Sequence, residues 1–274
     1  MSELMDQLNE TVAYIRKRRV DSVAKVGIVL GSGLGNLAEE IVVDYAIPYA
    51  DIPHFPVSTV KGHSGKLLFG NIEGKKVIVM GGRFHFYEGY TPQQVIYPIR
   101  VMRLLGVETL LLSNAAGGVN PAFKVGDLMV INDHISFFTS NPLIGKNADD
   151  LGTRFPDMSV PYCKELIAKA EIIAKANGLH LFQGVYTAVT GPTFETRAEY
   201  KLIKLMGSDV VGMSTVQETI AAVHCGMKVF GVSVITDLGI RESENTITHE
   251  EVLQAAKDAE PKLALLFKEL VKVI

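Results

Sequence analysis

Apolar residues recur along this chain in two rhythms, and the alternation between them outlines the fold. The opening stretch "MSELMDQLNETVAYIRKRR" has helical spacing, with acidic residues early and basic residues late, an order that suits the helix dipole. Short continuous apolar runs follow. "KVGIVLGSGLG" reads as a strand ending in a glycine turn, and "KLLFGNIEGKKVIVM" as two strands joined at Glu73-Gly74. "TPQQVIYPIRVMRLLG" predicts a helix capped by Thr91 with Gln94 as reciprocal partner, kinked at Pro98 and stopped at Gly106.

"VETLLLSNAAGG" and "GDLMVINDHISFF" are further strands, followed by a long polar connection to about Ser159. "PYCKELIAKAEIIAKANG" is a helix and "LHLFQGVYTAVTGP" a strand. The last third then alternates regularly: helix "ETRAEYKLIKLMG", strand "SDVVGM", helix "STVQETIAAVHCG", strand "MKVFGVSVITDLG" and a final helix from "THEEVL" onward. Strands alternating with helices predict an α/β fold with a mixed, largely parallel central sheet flanked by helices. With 47% hydrophobic residues and no low-complexity divider, residues 1–274 read as a single domain. Ligands of such sheets collect beyond the carboxyl ends of the strands.

Composition narrows the function. With 27 basic against 30 acidic residues, net charge −3, the chain has no general attraction for nucleic acid. Cys163 and Cys225 match neither a disulfide framework nor a zinc motif. The first helix lacks the apolar core of a signal peptide, and no apolar run is long enough to span a bilayer, so a cytoplasmic protein with no membrane partner is expected.

The polar clusters fall at strand ends. In "GGRFHFYEGY", Arg83, His85 and Tyr87 stand two apart, so an extended segment would turn all three to one face. "LGSGLGN" has its glycines out of register for a dinucleotide fingerprint and no Gly-Lys-Ser/Thr for a P-loop, which counts against a dinucleotide oxidoreductase. It does allow backbone amides and Ser32 to approach an anion. Ser214 opens "STVQ", a capping box with Gln217 at a helix start, where amides and dipole favour phosphate. Ser32, Arg83, His85, Ala115 and Ser214 thus make a candidate phosphate cradle. In "TGPTFETRAE" the next helix is capped by Thr196 with Glu199, which leaves Glu195 for another task. Phe194 beside Glu195 can stack on a flat base and accept its N–H groups. Asp237 ends an apolar strand.

Together "GSGLG", "GHSG", "GRFHFYEGY", "NAAGGVN", "RFPDMS", "GPTFET", "VGMSTVQE" and "HEEVL" resemble, in order and spacing, the trimeric family of purine nucleoside phosphorylases, from about Val26 to the final helix. Methylthioadenosine phosphorylases share the fold but typically differ at "FET". The resemblance implies phosphorolysis of purine ribo- and 2'-deoxyribonucleosides, with inorganic phosphate as co-substrate and no cofactor or metal. It implies Ser32, His63, Arg83, His85, Ala115 and Ser214 around phosphate, Tyr87, Met213 and His249 around ribose, and Phe194, Glu195 and Asp237 around the base. His85, Glu195 and Asp237 would serve the reacting groups. Phe155, in "RFPDMS", would reach a neighbour's site in a homotrimer.

One position departs from that pattern. The family usually has Asn where this chain has Asp237, and an ionised carboxylate can only accept hydrogen bonds. Asp237 either favours a 6-amino group or stays protonated near Glu195 and donates. Glu195 favours 6-oxopurines, whose N1–H gives it a donor, so inosine and guanosine lead. A non-catalytic nucleoside-binding protein would need the base contacts but no phosphate cradle.

Overall fold

A computed structural model describes residues 3–18, 24–32, 34, 40–57, 59, 65–240 and 246–274. In chain order the elements are α1 (Glu3–Lys17), β1 (Val26–Val29), β2 (Val42–Pro48), β3 (Lys66–Ile72), β4 (Lys75–Met80), α2 (Pro92–Val95), α3 (Tyr97–Leu105), β5 (Thr109–Gly118), β6 (Leu128–Ile135), α4 (Lys164–Ala176), β7 (Leu181–Ala188), α5 (Arg197–Leu205), β8 (Val210–Gly212), α6 (Val216–His224), β9 (Lys228–Leu238) and α7 (His249–Lys272).

The strands form one sheet in the order β2-β3-β4-β1-β5-β8-β7-β6-β9, and β9 pairs back onto β5. Five strands therefore close into a ring, and the other four extend from β5 as a wing. The sheet is mixed: β1 runs parallel to β4 and β5, β5 to β9, β6 to β7 and β7 to β8, while the β2–β3, β3–β4, β5–β8 and β6–β9 pairs are antiparallel. Its central strands read as unbroken apolar runs because both faces are covered; β9 is buried from Val229 through Asp237. Helices α4 and α7 pack on the ring side, and α1, α3 and α6 form a second helical layer.

Local chemistry accounts for most boundaries. The β3–β4 hairpin turns at Glu73 (φ 51°) and Gly74 (φ 78°), the positive-φ pair of a tight two-residue connection. The helix predicted over 91–106 starts at the Thr91–Gln94 capping box but is divided. α2 ends at Val95 with Ile96 as the junction, and Pro98, whose missing N–H is harmless in a first turn, sits at the start of α3 instead of kinking one rod. Strand β2 has no counterpart in the sequence reading. It is a sheet edge, exposed along most of its length, so it has little of the apolar contrast that marks a strand.

Candidate active site

β1, β4, β5 and β9 point their carboxyl ends the same way. β8 runs against them but crosses β5 at that end, pairing Val211 with Gly117. The chain segments leaving these strands enclose a cavity of about 300 Å³. It is lined by Ser32 after β1, Arg83, His85 and Tyr87 after β4, Asn114 to Gly117 within β5, Phe194 and Glu195 before α5, Met213 and Ser214 after β8, Asp237 in β9 and His249 opening α7. Residue 31 must be glycine for β1 to come this close to β5, since a Cβ there would lie 2.8 Å from the Asn114 Cα.

One end of the cavity is cationic. Arg83 is 1% exposed and its guanidinium is fixed on several sides. Nε donates to Glu218 Oε1 at 3.0 Å, and Nη1 donates to the Ser113 carbonyl at 2.7 Å and to Ser214 Oγ at 3.2 Å. Glu218 Oε2 accepts the Thr215 amide at 2.9 Å, so one carboxylate both balances Arg83 and closes the start of α6. The helix cap is therefore Thr215 with Glu218, one residue later than the Ser214–Gln217 box expected from sequence. The shift has a physical cause. Thr215 adopts φ 72°, unfavourable for a β-branched residue, and is held there by Asn114 Nδ2, which donates to its Oγ1 at 2.9 Å. That backbone turn points Ser214 at Arg83 instead of into the helix.

His85 and Tyr87 also reach the cavity, though not by strand alternation. The chain is extended only through His85; Phe86–Glu88 form a 3-10 turn that stacks the Tyr87 ring on the imidazole, with centroids 4.6 Å apart. Phe84 points the other way, into the aromatic cluster of Tyr49, Phe55 and Tyr90. Burial lowers the His85 pKa, opposed by the neighbouring Glu88 carboxylate. Burial also disfavours ionised Glu88, but hydrogen bonds from His85 and Thr59 outweigh it and hold the carboxyl at about 2. Glu88 Oε1 accepts from Nδ1 at 3.1 Å, so the neutral ring carries its proton there and presents Nε2 as an acceptor, suited to a P–OH group. Burial raises the Tyr87 phenol to about 12, and it remains a neutral hydroxyl.

The other end is acidic. Burial raises the Glu195 pKa, partly countered by hydrogen bonds from its own backbone and Tyr200, and the Asp237 and Glu199 carboxylates push it further upward. Thr196, with Glu199 as reciprocal partner, caps α5 as expected, so Glu195 is spared that work. Asp237 is 6% exposed; Thr236 Oγ1 lies 3.1 Å from its Oδ1 and the Tyr200 hydroxyl 3.5 Å from its Oδ2. Phe194 is half-exposed at the rim.

Of the residues singled out from sequence, the cavity brings together Ser32, Arg83, His85, Tyr87, Ala115, Phe194, Glu195, Met213, Ser214, Asp237 and His249. His63 lies outside the described residues. Phe155 does not line the cavity; it is 84% exposed, with the Arg154 guanidinium 5.3 Å from its ring centre. Sequence reasoning missed Asn114, Thr236 and Tyr200, which also line it. Asn114 adjoins Ala115 in a small-residue turn and was within reach. Tyr200 sits on the buried side of an amphipathic helix and has the look of an ordinary core aromatic.

Residues 25–272 match the model of the phosphorylase superfamily. The chain is 50% identical over 271 residues to purine nucleoside phosphorylase 1 of Bacillus subtilis (strain 168), covering 99% of this chain and 98% of that protein. Among solved structures it is similar to a Schistosoma purine nucleoside phosphorylase in complex with hypoxanthine, at 42% identity and TM-score 0.92, with 97% and 96% of the two chains covered. It is also similar to isoform 2 of the Schistosoma mansoni enzyme in complex with cytosine and ribose-1-phosphate, at 44% identity and TM-score 0.92, covering 97% and 95%.

Proposed function

The chain belongs to the purine nucleoside phosphorylases of the phosphorylase superfamily, and from that premise we infer how its residues divide the work of cleaving purine ribo- and 2'-deoxyribonucleosides, inosine and guanosine foremost. The observation that carries the reading is a single cavity with a buried guanidinium, a neutral imidazole and Ser214 at one end and two carboxylates beside Phe194 at the other. Arg83, His85, Ser32, Ser214 and the Ala115 backbone bind inorganic phosphate, and His63 belongs with them by sequence. Tyr87, Met213 and His249 contact the sugar; Phe194 stacks on the base, and Glu195 and Asp237 read its edge.

Phosphate is the nucleophile. One of its oxygens attacks the anomeric carbon as the bond to N9 breaks, through an oxocarbenium-like state, leaving (deoxy)ribose 1-phosphate. The departing purine takes the bonding electrons, and the acidic end helps place the proton that neutralises it. The protein's part is orientation and electrostatics, with no protein nucleophile. A relative solved with ribose-1-phosphate supports phosphate as co-substrate. Incubating the protein with inosine should release hypoxanthine only when phosphate is present. Undiminished release after phosphate removal would sink the assignment.

We further read residues 1–274 as one phosphorylase domain working as a cytoplasmic homotrimer. The match over 25–272 and the single sheet support the domain, and the free thiols of Cys163 and Cys225 suit a reducing compartment. Exposed Phe137, Ile144 and Phe155 on the 136–160 connection support the trimer, since large apolar side chains left in water favour a partner surface. Phe155 would then complete a neighbour's sugar site. Phe155→Ala should raise the nucleoside KM several-fold, while an active monomer by light scattering would refute the shared site.

A further inference from the structure

A third residue joins the two acids at the base end. Tyr200, on the buried face of α5, is 4% exposed; its hydroxyl stands 3.5 Å from Asp237 Oδ2, and it lines the cavity beside Glu195, whose charge it stabilises. Neighbouring backbone clears the room it needs. A Cβ on Gly239 would fall 2.1 Å from the ring, and one on Gly117 would stand 3.0 Å from Asp237 Oδ2 and 3.4 Å from the hydroxyl.

A phenol has one proton and can donate to one carboxylate at a time. Burial, with Asp237 and Glu195 beside it, raises the Tyr200 pKa, so the phenol keeps that proton. Two carboxylates crowded around it in a shielded site resist being ionised together. Among the described residues, the ionisable groups near the pair include Glu199, turned to the α5 cap, and His249 from α7, which lines the same cavity.

We propose that Glu195 and Asp237 hold one proton between them, that Tyr200 is a positioning residue turning its hydroxyl to whichever acid is ionised, and that the two placements of the proton fit 6-oxo and 6-amino purine nucleosides respectively. The inference rests on the purine reading above. With Glu195 ionised and Asp237 protonated, the pair offers an acceptor to N1–H and a donor to the 6-oxo oxygen. With the proton on Glu195, it offers a donor to bare N1 and an acceptor to the 6-amino group. One proton changes place and none is gained or lost. Thr236 Oγ1, close to Asp237 Oδ1, can donate to the ionised acid or accept from the protonated one.

The test is kcat/KM for inosine and adenosine in the same phosphate buffer from about pH 5.5 to about pH 8, where free-enzyme protonation is read and phosphate titration cancels in the ratio. Both nucleosides need the singly protonated pair, so the wild-type adenosine-to-inosine ratio should stay constant with pH. A ratio that tilts with pH, by up to about tenfold per pH unit, would mean that the two nucleosides use states of different total protonation and would overturn the proposal, as would complete failure to cleave adenosine. Asp237→Asn should impose that tilt and cut adenosine relative to inosine by about tenfold or more. Tyr200→Phe removes the donor to the ionised acid, which the singly and doubly ionised pairs lose alike, so the acid limb of both pH profiles should move to higher pH, the alkaline limb should stay, and the nucleoside KM should rise about tenfold, with the phosphate KM unchanged. Reduced activity with unmoved limbs would make Tyr200 mere packing. Failure of the wider reading looks different: no phosphate-dependent base release from inosine by the wild type at any pH.

Discussion

At one end of the cavity Arg83 and Glu218 form a buried ion pair whose other partners include a carbonyl, a serine and the amide that starts α6; at the other, Glu195 and Asp237 line the cavity beside the Tyr200 phenol. The first arrangement fixes its charges, because each ionised group has an opposite charge or a firm donor. The second leaves its charge state open to the ligand. Acid acts on the two ends with opposite sign. Glu88, held down at about 2, stabilises the fold fully above the ordinary carboxylate range, and that stability is lost as pH falls toward its folded value. Glu195, pushed upward by burial, contributes at low pH, and its contribution is lost as pH rises through its folded value. On the proposed reading, an end that must always hold an anion benefits from preset charge, whereas an end that reads a base edge needs groups that can be donor or acceptor.

The largest expected effect comes from Arg83→Ala. It strands the Glu218 carboxylate, 3% exposed, without its counter-charge, and breaking a buried pair from one side costs about 3–5 kcal/mol. Thermal unfolding should shift down strongly, and the phosphate KM should rise far more than the nucleoside KM. Equal increases in both would mean that Arg83 serves the cavity as a whole and that the two ends are not separately built.

Glu88→Gln should do less. The imidazole keeps a neighbour able to accept a hydrogen bond but loses a charged one, and such charge-assisted bonds are about twice as strong as neutral ones. A phosphate KM raised about tenfold is expected, since removing an outer partner of a functional histidine commonly has effects of that order. The melting-temperature gap between wild type and variant should be widest near neutral pH and close as pH is lowered past the ordinary carboxylate value toward about 2. A gap independent of pH would show that Glu88 is not the ionised partner of His85.

How much of this was legible beforehand follows the range of the interactions. Signals within a few residues were readable: the Glu73-Gly74 turn, the Thr91 and Thr196 boxes, and the polar residues at the ends of β4, β8 and β9. The closure of β9 onto β5 was not, because it pairs residues 109–118 with 228–238 and only tertiary packing chooses that register. Thr215 defeated the local rule for a similar reason. A β-branched residue at positive φ goes against its own preference, and the contacts that impose it come from Asn114 and Glu218. Tyr200 escaped because helical spacing marks a buried face without saying whether that face meets core or cavity. The resemblance to known phosphorylases named most of the polar residues that the structure brings to one cavity, and the structure added the groups around them that set its charge.

The smallest expected effect is the one that best separates the two ends. Thr196 Oγ1 accepts the Glu199 amide at 3.3 Å, and Glu199 accepts the Thr196 amide in return, so this box fixes the start of α5 between Glu195, one residue before it, and Tyr200, in its second turn. Replacing such a cap by alanine costs about 0.5–2 kcal/mol. That is well below the loss of the Arg83 pair, because the helix frays locally and exposed amides turn to water. The cavity should feel it only where α5 contributes: Thr196→Ala should raise the nucleoside KM a few-fold and leave the phosphate KM within error. Because the cap and Glu88 share no partner, Thr196→Ala and Glu88→Gln should add in free energy when combined. A double variant markedly worse than that sum would mean that the acidic end is positioned through the cationic one, and the division of the cavity into a preset half and an adjustable half would have to be given up.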